Sequence, residues 1–452
     1  MGFEEFDRRD FMKSAGLAIG AGLAAPLAAR AAARIEHGGA FDPASDRISV
    51  AVIGCNGRGS EHINCFVEMP GTEVSYVCDV DSRAIDKGIA LAQKKQSNAP
   101  KREKDFRKVL ADPSVDAVTI AAPDHWHSPM AILALAAGKH VYVEKPLSQN
   151  PAEGELVMKA EAKYKKVAMM GVQRRSFPNL QQAIREIHDG VIGKAYFART
   201  WYTNQRATIG VGKPAPVPEW LDYELWQGPA PRRPYQDNLI HYNWHWFWHW
   251  GAGEALNNGT HEVDVARWAL NVNYPERVAS SGGRYQWQDD WQTADTQTIS
   301  MVYPEGKMIS WEGRSCCGFP SEGLDRGVMV YGTEGAALLD SNSYKIFDKK
   351  KKVVKEVADV KEAAGTNPLS ATGRRLDKMH LSDFLECIRT GKKPNCPIEE
   401  GHKSVVGLHL GNIAWRVGRE LHCDSSNGHI FGDSDATKLW SREYQPGWEP
   451  KV

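Results

Sequence analysis

The 452-residue sequence lacks the features that mark several special classes of protein. It has no excess of charge, because 56 Lys and Arg residues balance 56 Asp and Glu residues, so no overall field favours nucleic acid. Its eight cysteines include no Cys-x-x-Cys pair and no zinc-type spacing, which predicts mostly buried free thiols and no metal. The apolar run at residues 14–29 is short and glycine-rich, so we expect no stable membrane insertion.

A nucleotide-binding pattern follows the first strongly apolar segment. Residues 48–54 are rich in β-branched side chains, as in a buried parallel strand. They lead into Gly54-Cys55-Asn56-Gly57-Arg58-Gly59, the G-x-G-x-x-G pattern with Asn56 at the second glycine, and a helical pattern follows. Asn tolerates left-handed backbone better than most residues, and Gly57 adds further freedom. The alternative is a helix-capping turn that binds no nucleotide.

An acidic residue lies at the spacing that this pattern requires. The second predicted strand, residues 74–78, ends at Asp79, 20 residues after Gly59. A carboxylate at this position binds the ribose hydroxyls of adenosine. Because Asp79 would repel a 2′-phosphate, the predicted cofactor is NAD, and NADP is disfavoured.

Strands and helices go on alternating, which predicts a Rossmann dinucleotide-binding domain over residues 47–172. One short strand, residues 141–143, runs directly into Glu144-Lys145-Pro146. In open α/β sheets, ligands bind at the carboxyl ends of the strands, so Lys145 is placed where a reaction would occur.

Residues 173–452 have a different pattern and predict a second domain. Strand-like alternation marks six segments, residues 194–202, 277–282, 296–302, 308–312, 327–331 and 335–340. The fold class is therefore an α/β Rossmann domain followed by an α+β C-terminal domain with a large, mostly antiparallel open sheet. Residues 379–390 and 403–421 predict closing helices, so those near 379–421 are expected to pack at the domain junction.

These motifs together resemble the Gfo/Idh/MocA family, NAD(P)-dependent dehydrogenases of sugars, sugar nucleotides and cyclitols. The resemblance rests on the glycine turn, Asp79, Ala122-Pro123 with His127, residues 137–141, Glu144-Lys145-Pro146 and Gln173-Arg174. It implies a carbohydrate substrate and a homo-oligomer, either a dimer or a tetramer. The cofactor-binding residues that it implies are Gly54, Asn56, Gly57, Arg58, Gly59, Asp79, Pro123, His127, Glu144, Lys145, Gln173 and Arg174.

The sequence has 15 Trp residues, and an aromatic stretch at residues 241–254 is the densest part of the chain. It leads into a segment similar to the substrate-side helix of the family. We expect the stretch to form a wall on which a sugar ring stacks, although plain core packing is the alternative. The substrate-binding residues predicted here are Tyr242, Trp244, His245, His249, Asn257 and Asn258.

Two residues are the candidates for catalysis, Lys145 and His261. On a helix, Asn257 and His261 share a face at i and i+4. The family resemblance implies that His261 faces the cofactor opposite Lys145. Family members often carry Asp at position 257, and Asn here puts a carboxylate-assisted proton relay in doubt. The alternatives are a core role for His261 and a metal site formed by His241, His245 and His249.

Residues 1–33 resemble the twin-arginine export signal of bacteria, with Arg8-Arg9 before the apolar run and small residues around 29–31. The alternative is a frayed helix. Since this pathway exports folded proteins, the resemblance implies a periplasmic or secreted protein that keeps its cofactor tightly bound.

The resemblance to the Gfo/Idh/MocA family implies hydride transfer at a sugar or glycoside hydroxyl. The alternatives are NAD-dependent glycoside cleavage by transient oxidation and elimination, and a non-catalytic NAD-sensing regulator.

Overall fold

The computed structural model describes residues 47–359 and 371–452. The predicted export signal at residues 1–33 lies outside these described residues. Among the described helices, none has the length and hydrophobicity needed to cross a membrane. The eight cysteines are free, and all are buried except Cys317, in agreement with the sequence prediction.

The N-terminal domain is a six-stranded parallel sheet with strand order β3-β2-β1-β4-β5-β6. Its strands are β1 (Ile48–Ile53), β2 (Thr72–Cys78), β3 (Lys101–Glu103), β4 (Ala117–Ile120), β5 (His140–Glu144) and β6 (Ala168–Gly171). Its helices are α1 (Arg58–Phe66), α2 (Ser82–Gln93), α3 (Phe106–Ala111), α4 (Asp124–Ala136) and α5 (Pro151–Tyr164). This is the doubly wound arrangement that the alternating pattern predicted.

The C-terminal domain is built on a nine-stranded sheet with order β14-β13-β12-β11-β7-β10-β9-β8-β15. Its strands are β7 (Ala195–Thr203), β8 (Arg277–Gly283), β9 (Thr296–Tyr303), β10 (Lys307–Arg314), β11 (Arg326–Gly332), β12 (Gly335–Leu339), β13 (Tyr344–Asp348), β14 (Val353–Val357) and β15 (Leu421–His422). All neighbouring pairs are antiparallel except β7 with β10, so the predicted fold class is confirmed.

The helices of this domain are α6 (Pro178–His188), α7 (Tyr223–Gln227), α8 (Thr260–Leu270), α9 (Ala371–Thr390), α10 (Ile398–Val417) and α11 (Ser434–Lys438). Helices α6, α8 and α10 pack on the sheet, and α9 contacts α1 of the N-terminal domain at the domain junction. Both predicted closing helices exist, but their bounds differ from the prediction. The second one stops at Val417 rather than 421 because Gly418 takes a left-handed conformation (φ 70°), a common helix ending.

A long excursion, residues 204–250, separates β7 from α8, and we call it the strap. It contains only one short α-helix, α7, and a 3₁₀ turn at Asn243–Trp246. Its apolar side chains form a cluster of their own, which includes Leu221, Trp226 and Trp250. The strap therefore has a small apolar core of its own beside the main core.

Candidate active site

A cavity of about 870 Å³ lies at the carboxyl edge of the six-stranded sheet. The strap, the segment before α8 and the start of β11 complete its walls. Nearly all of the site residues predicted from the sequence line this cavity. The two that do not are Gly59 and His249.

The glycine turn connects β1 to α1 in the way that a dinucleotide site requires. Gly54 has a φ of 82°, and a Cβ added to it would lie 2.6 Å from the carbonyl carbon of Ala121. Gly59 packs its helix against the turn, since a Cβ there would lie 1.8 Å from the Gly54 oxygen. Gly57 faces open space. The left-handed residue is Gly54 rather than Asn56, so the glycine is needed at the first position and Asn is accommodated at the second.

Asp79 connects the glycine turn to the start of α2. Its carboxylate accepts hydrogen bonds from the backbone N–H of Cys55 at 2.6 Å and of Asp81 at 2.9 Å. Burial raises the pKa of Asp79, while these backbone donors act in the opposite direction. A carboxylate has about four lone-pair sites, so two remain for the hydroxyls of a ligand.

Glu144 is the centre of a buried charge network on the floor of the cavity. Its Oε1 lies 3.0 Å from Arg58 Nη2, 3.0 Å from Gln173 Nε2 and 3.1 Å from His62 Nε2. Burial alone would raise its pKa, but Arg58 and His62 hold the pKa of Glu144 well below its usual value. Arg58 also forms an ion pair with Asp377 at 2.8 Å. The resemblance did not predict His62 and Asp377, because they come from separate helices without a local motif.

Lys145 leaves the end of β5 and points across the cavity to the segment before α8. Its Nζ donates to the carbonyl oxygen of Asn257 at 2.5 Å and to the side-chain oxygen of the same residue at 2.9 Å. Burial lowers the pKa of Lys145, whereas the carboxylates of Glu144 and Asp124 raise it. Burial also raises the pKa of Asp124, a cavity-lining residue that the sequence analysis missed although it follows Pro123 directly.

Asn257 does not lie on a regular α-helix, which corrects the prediction of an i, i+4 face. Residues Ala255–Gly259 form a π-helical turn that continues into α8. Glu254 accepts hydrogen bonds from Asn257 and Asn258, and it is held by Arg206 at 2.7 Å. Short π-helical segments of this kind occur frequently at functional sites. Asn257 and His261 nevertheless both line the cavity.

His261 is a neutral imidazole at neutral pH. Burial is the main cause of a pKa well below 6.5, and the positive charges of Lys145, Arg326 and Arg174 lower this pKa further. A neutral ring presents one donor and one acceptor nitrogen. His261 can therefore hydrogen-bond a hydroxyl group, and its surroundings oppose protonation of the ring.

Arginines surround the end of the cavity formed by Asn257, Asn258 and His261, which we call the substrate end after its predicted role. Two of these arginines, Arg206 and Arg326, were not predicted from the sequence. Arg326 donates to Glu262 at 2.8 Å, and Arg174 lies 3.4 Å from the same carboxylate. Both terminal nitrogens of Arg174 are buried without a hydrogen-bond partner among the described residues. Burial lowers the pKa of Arg174. Arg206 lies in the strap and Arg326 begins β11, and neither belongs to a local sequence motif, so only the fold reveals them.

The aromatic stretch at 241–254 divides into a wall and a core. Tyr242, Trp244 and His245 line the cavity. Tyr242 is 49% exposed, and the ring of Trp244 stacks on that of His245 with centroids 3.6 Å apart. Trp246 and Trp250 are buried in the core. Core packing therefore accounts for part of this stretch, and the stacking of a sugar ring on its cavity-lining part stays a prediction.

The three histidines of the stretch do not share a helical face, which corrects the geometry assumed for a metal site. His241 Nε2 lies 2.8 Å from Asp81, His245 Nδ1 lies 2.6 Å from the Tyr242 oxygen, and His249 Nε2 lies 2.7 Å from the Pro231 oxygen. Within residues 47–359 and 371–452, no group of His, Cys, Asp and Glu is arranged to hold a metal ion.

Two models of the Gfo/Idh/MocA proteins match the chain. The one described as "Oxidoreductase family, NAD-binding Rossmann fold" matches residues 48–172. The one described as "Oxidoreductase family, C-terminal alpha/beta domain" matches residues 191–450.

Similar proteins include both hydrolases and dehydrogenases by name. A glycosyl hydrolase family 109 protein of Saccharopolyspora erythraea is 28% identical over 305 residues, which cover 65% of this chain and 63% of that protein. An inositol 2-dehydrogenase of Rubrobacter xylanophilus is 26% identical over 299 residues, which cover 64% of this chain and 71% of that protein. The chain thus matches less than two thirds of the length of its glycosyl hydrolase family 109 relatives.

The fold is similar to that of solved oxidoreductases. A levoglucosan dehydrogenase in complex with NADH and levoglucosan superimposes with a TM-score of 0.65 at 16% sequence identity. The superposition covers 83% of this chain and 99% of that structure.

Proposed function

Because the chain belongs to the Gfo/Idh/MocA oxidoreductase family, we propose that it is an NAD-dependent oxidoreductase acting on a sugar or glycoside hydroxyl. The observation that carries this proposal is the position of Lys145. Its Nζ lies in the cavity between the glycine turn and the segment of Asn257 and His261, bonded to Asn257 at 2.5 and 2.9 Å.

The end of the cavity formed by the glycine turn and Asp79, which we call the nucleotide end, fits a dinucleotide. Gly54 brings the backbone of the turn close to β4, and Gly57 leaves the turn open to the cavity. The N-terminus of α1, which lacks a side-chain cap, suits the negative pyrophosphate. Asp79 would hold the ribose hydroxyls and favours NAD over NADP. When bound, NAD would accept or return the hydride.

Lys145 and His261 would act together on the substrate hydroxyl: the neutral amine of Lys145 would accept its proton, and His261 would orient it. Burial lowers the pKa of Lys145, which brings the ammonium closer to giving up a proton near neutral pH. The neutral ring of His261 can accept a hydrogen bond from the same hydroxyl and orient it. Asn257 holds the Lys145 Nζ in position through two acceptors, and Tyr242 and Trp244 would cover the sugar ring.

The test is a screen for turnover with the NAD-loaded protein. Purified protein is mixed with a panel of sugars and glycosides, and absorbance at the NADH band is followed. We expect at least one sugar to change this absorbance, and the variant Lys145→Ala provides the matched negative control. A folded, NAD-loaded protein that is silent with the whole panel, and that also cleaves no glycoside, would contradict the proposal.

A second candidate function is glycoside cleavage, and the names of the glycosyl hydrolase family 109 relatives favour it. Oxidation of the hydroxyl-bearing carbon two positions from the glycosidic carbon acidifies the C–H bond of the carbon between them, and loss of that proton expels the aglycone by elimination. Addition of water and re-reduction then restore the sugar without net NADH. Release of nitrophenol from a nitrophenyl glycoside without net NADH would place this reaction first.

We further propose that the protein is exported through the twin-arginine pathway with NAD already bound, and that it forms homo-oligomers. The signal-like residues 1–33 support export, and cofactor loading before export would make tight binding useful. Cell fractionation of the full chain and of a variant with Arg8→Lys and Arg9→Lys tests the location. Light scattering of the purified protein tests the oligomer.

A further inference from the structure

The strap, residues 204–250, crosses from the C-terminal domain to the N-terminal domain and forms one wall of the cavity. Leu225, Trp226 and Tyr242 of the strap line the same cavity as Gly54 and Asp79. The strap therefore raises the question of what it does to a bound dinucleotide.

Backbone hydrogen bonds attach the strap to the segment immediately after Asp79. The N–H of Ser82 donates to the Trp220 oxygen at 3.0 Å, and the N–H of Asp222 donates to the Val80 oxygen at 2.9 Å. The strap thus extends the edge of the nucleotide domain at the residue predicted to bind the adenosine ribose.

Four side chains reinforce this attachment, and we call them the clasp: Asp81, Arg83, Trp220 and His241. Asp81 is 2% exposed, and its carboxylate lies 2.8 Å from His241 Nε2 and 2.9 Å from Arg83 Nη2. The Arg83 guanidinium lies 3.4 Å from the centre of the Trp220 ring. Burial alone would raise the pKa of Asp81, but Arg83 and His241 hold it below its usual value. Asp81 is therefore a charged centre that connects both domains.

The strap is attached to the nucleotide domain at a second place. The carbonyl oxygen of Trp226 lies 2.9 Å from His125 Nε2 and accepts a hydrogen bond from Trp126 Nε1 at 3.0 Å. Both partners belong to α4, which follows β4, whereas the clasp follows β2. Because β1 lies between β2 and β4 in the sheet, the strap spans the strand ends from which the glycine turn emerges.

We propose that the strap and its clasp retain the dinucleotide, so that exchange of NAD requires the contact between Asp81 and His241 to open. This inference rests on the proposed function, since it assumes that the cavity binds NAD. A cofactor enclosed on its adenosine side leaves only after the strap moves, and charge-assisted hydrogen bonds are the strong contacts that oppose such movement. The clasp residues thus set the residence time of the cofactor without contacting the sugar.

The test compares NADH dissociation from matched variants of the full chain. Protein loaded with NADH is mixed with excess NAD, and the loss of energy transfer from tryptophan to NADH is recorded with time. In Asp81→Asn the side chain can still cap α2, but it no longer carries the negative charge that attracts His241 and Arg83. We expect it to release NADH about tenfold faster or more, and His241→Gln to do so as well. Lys213→Gln, an exposed strap position outside the clasp, should match the wild type.

A purely structural contact between the domains predicts a different result. It would lower the melting temperature of the clasp variants and leave the dissociation rate of NADH from the folded protein unchanged. Rates within twofold of wild type for both Asp81→Asn and His241→Gln would overturn the clasp while leaving the proposed function intact. A folded wild-type protein that binds no NAD or NADH would overturn both.

Discussion

The two ends of the cavity are built in different ways. The nucleotide end takes its geometry largely from backbone: the φ of Gly54 and the N–H groups that hold Asp79. The substrate end is assembled from side chains that are far apart in the sequence, such as Arg206 with Glu254 and Arg326 with Glu262. Backbone geometry requires particular residues at short spacing, and so it appears in a sequence as a motif. Paired side chains from distant segments need no fixed spacing, so they do not appear as a motif.

The largest expected effect is at Lys145, which lies where the two ends meet. Lys145→Ala should lower kcat by about 100- to 10,000-fold, the range typical of losing a proton-transfer group. NAD affinity should change little, because the glycine turn and Asp79 remain. Lys163→Ala, at an exposed lysine on α5, is the matched control. Steady-state kinetics and NAD titration provide the measurements, and unchanged turnover would remove Lys145 from the mechanism.

Breaking the substrate end alone should have its main effect on stability. Glu262 is fully buried and neutralises Arg326 and Arg174. Glu262→Gln leaves these arginines without their carboxylate, which should cost about 3 kcal/mol of unfolding free energy. The control is Glu322→Gln, whose exposed ion pair with Arg199 should contribute at most about 1 kcal/mol. Urea denaturation measures the unfolding free energy of both variants. If Glu262→Gln loses no more of it than Glu322→Gln, the buried network stabilises the protein no more than an exposed ion pair does.

Breaking the nucleotide end should require only one methyl group. Gly54→Ala places a Cβ 2.6 Å from the Ala121 backbone at a φ of 82°, so the turn must distort. Left-handed strain alone costs about 1–3 kcal/mol, and NAD binding should weaken with it. Gly57→Ala meets nothing within 4 Å and should keep the wild-type melting temperature. If both variants melted alike, the steric account of the turn would be wrong.

The sequence predicted the fold class and the closing helices, because strand and helix periodicity is a local property. It also selected, as candidates, most of the residues that the structure places around the cavity, through the glycine spacing, Asp79 and Glu144-Lys145-Pro146. It missed β3, a strand of three largely exposed residues with no apolar alternation. It also treated the π-helical turn at Ala255–Gly259 as a regular helix. Glu254, which accepts hydrogen bonds from Asn257 and Asn258, is held by Arg206, 48 positions earlier, and no local pattern predicts that ion pair.

The strap shows a second limit of sequence reasoning. Its aromatic last part was predicted to form either a wall for a sugar ring or part of the core. Both descriptions treat the segment by its own composition. Its position depends instead on contacts with the other domain, such as Asp81 with His241, whose residues are separated by 160 positions. No local pattern records such a contact.

The smallest expected effect tests the electrostatics of the substrate end at His261. Burial and the nearby cations, first Lys145 and then Arg326, hold its pKa well below 6.5 in the folded protein. Below pH 6.5 the unfolded chain therefore binds a proton that the folded protein does not bind. The stability associated with His261 is thus fully present above pH 6.5 and is lost as the pH falls, by at most about 1.4 kcal/mol per pH unit.

His261→Asn should therefore flatten the decrease in unfolding free energy between pH 7 and pH 5. The control His422→Asn, at an exposed histidine, should leave the slope of unfolding free energy against pH unchanged. Urea denaturation at each pH measures this slope. A wild-type slope in His261→Asn would mean that the ring is protonated as easily in the folded protein as in the unfolded chain, and the neutral imidazole assigned to this end of the cavity would have to be abandoned.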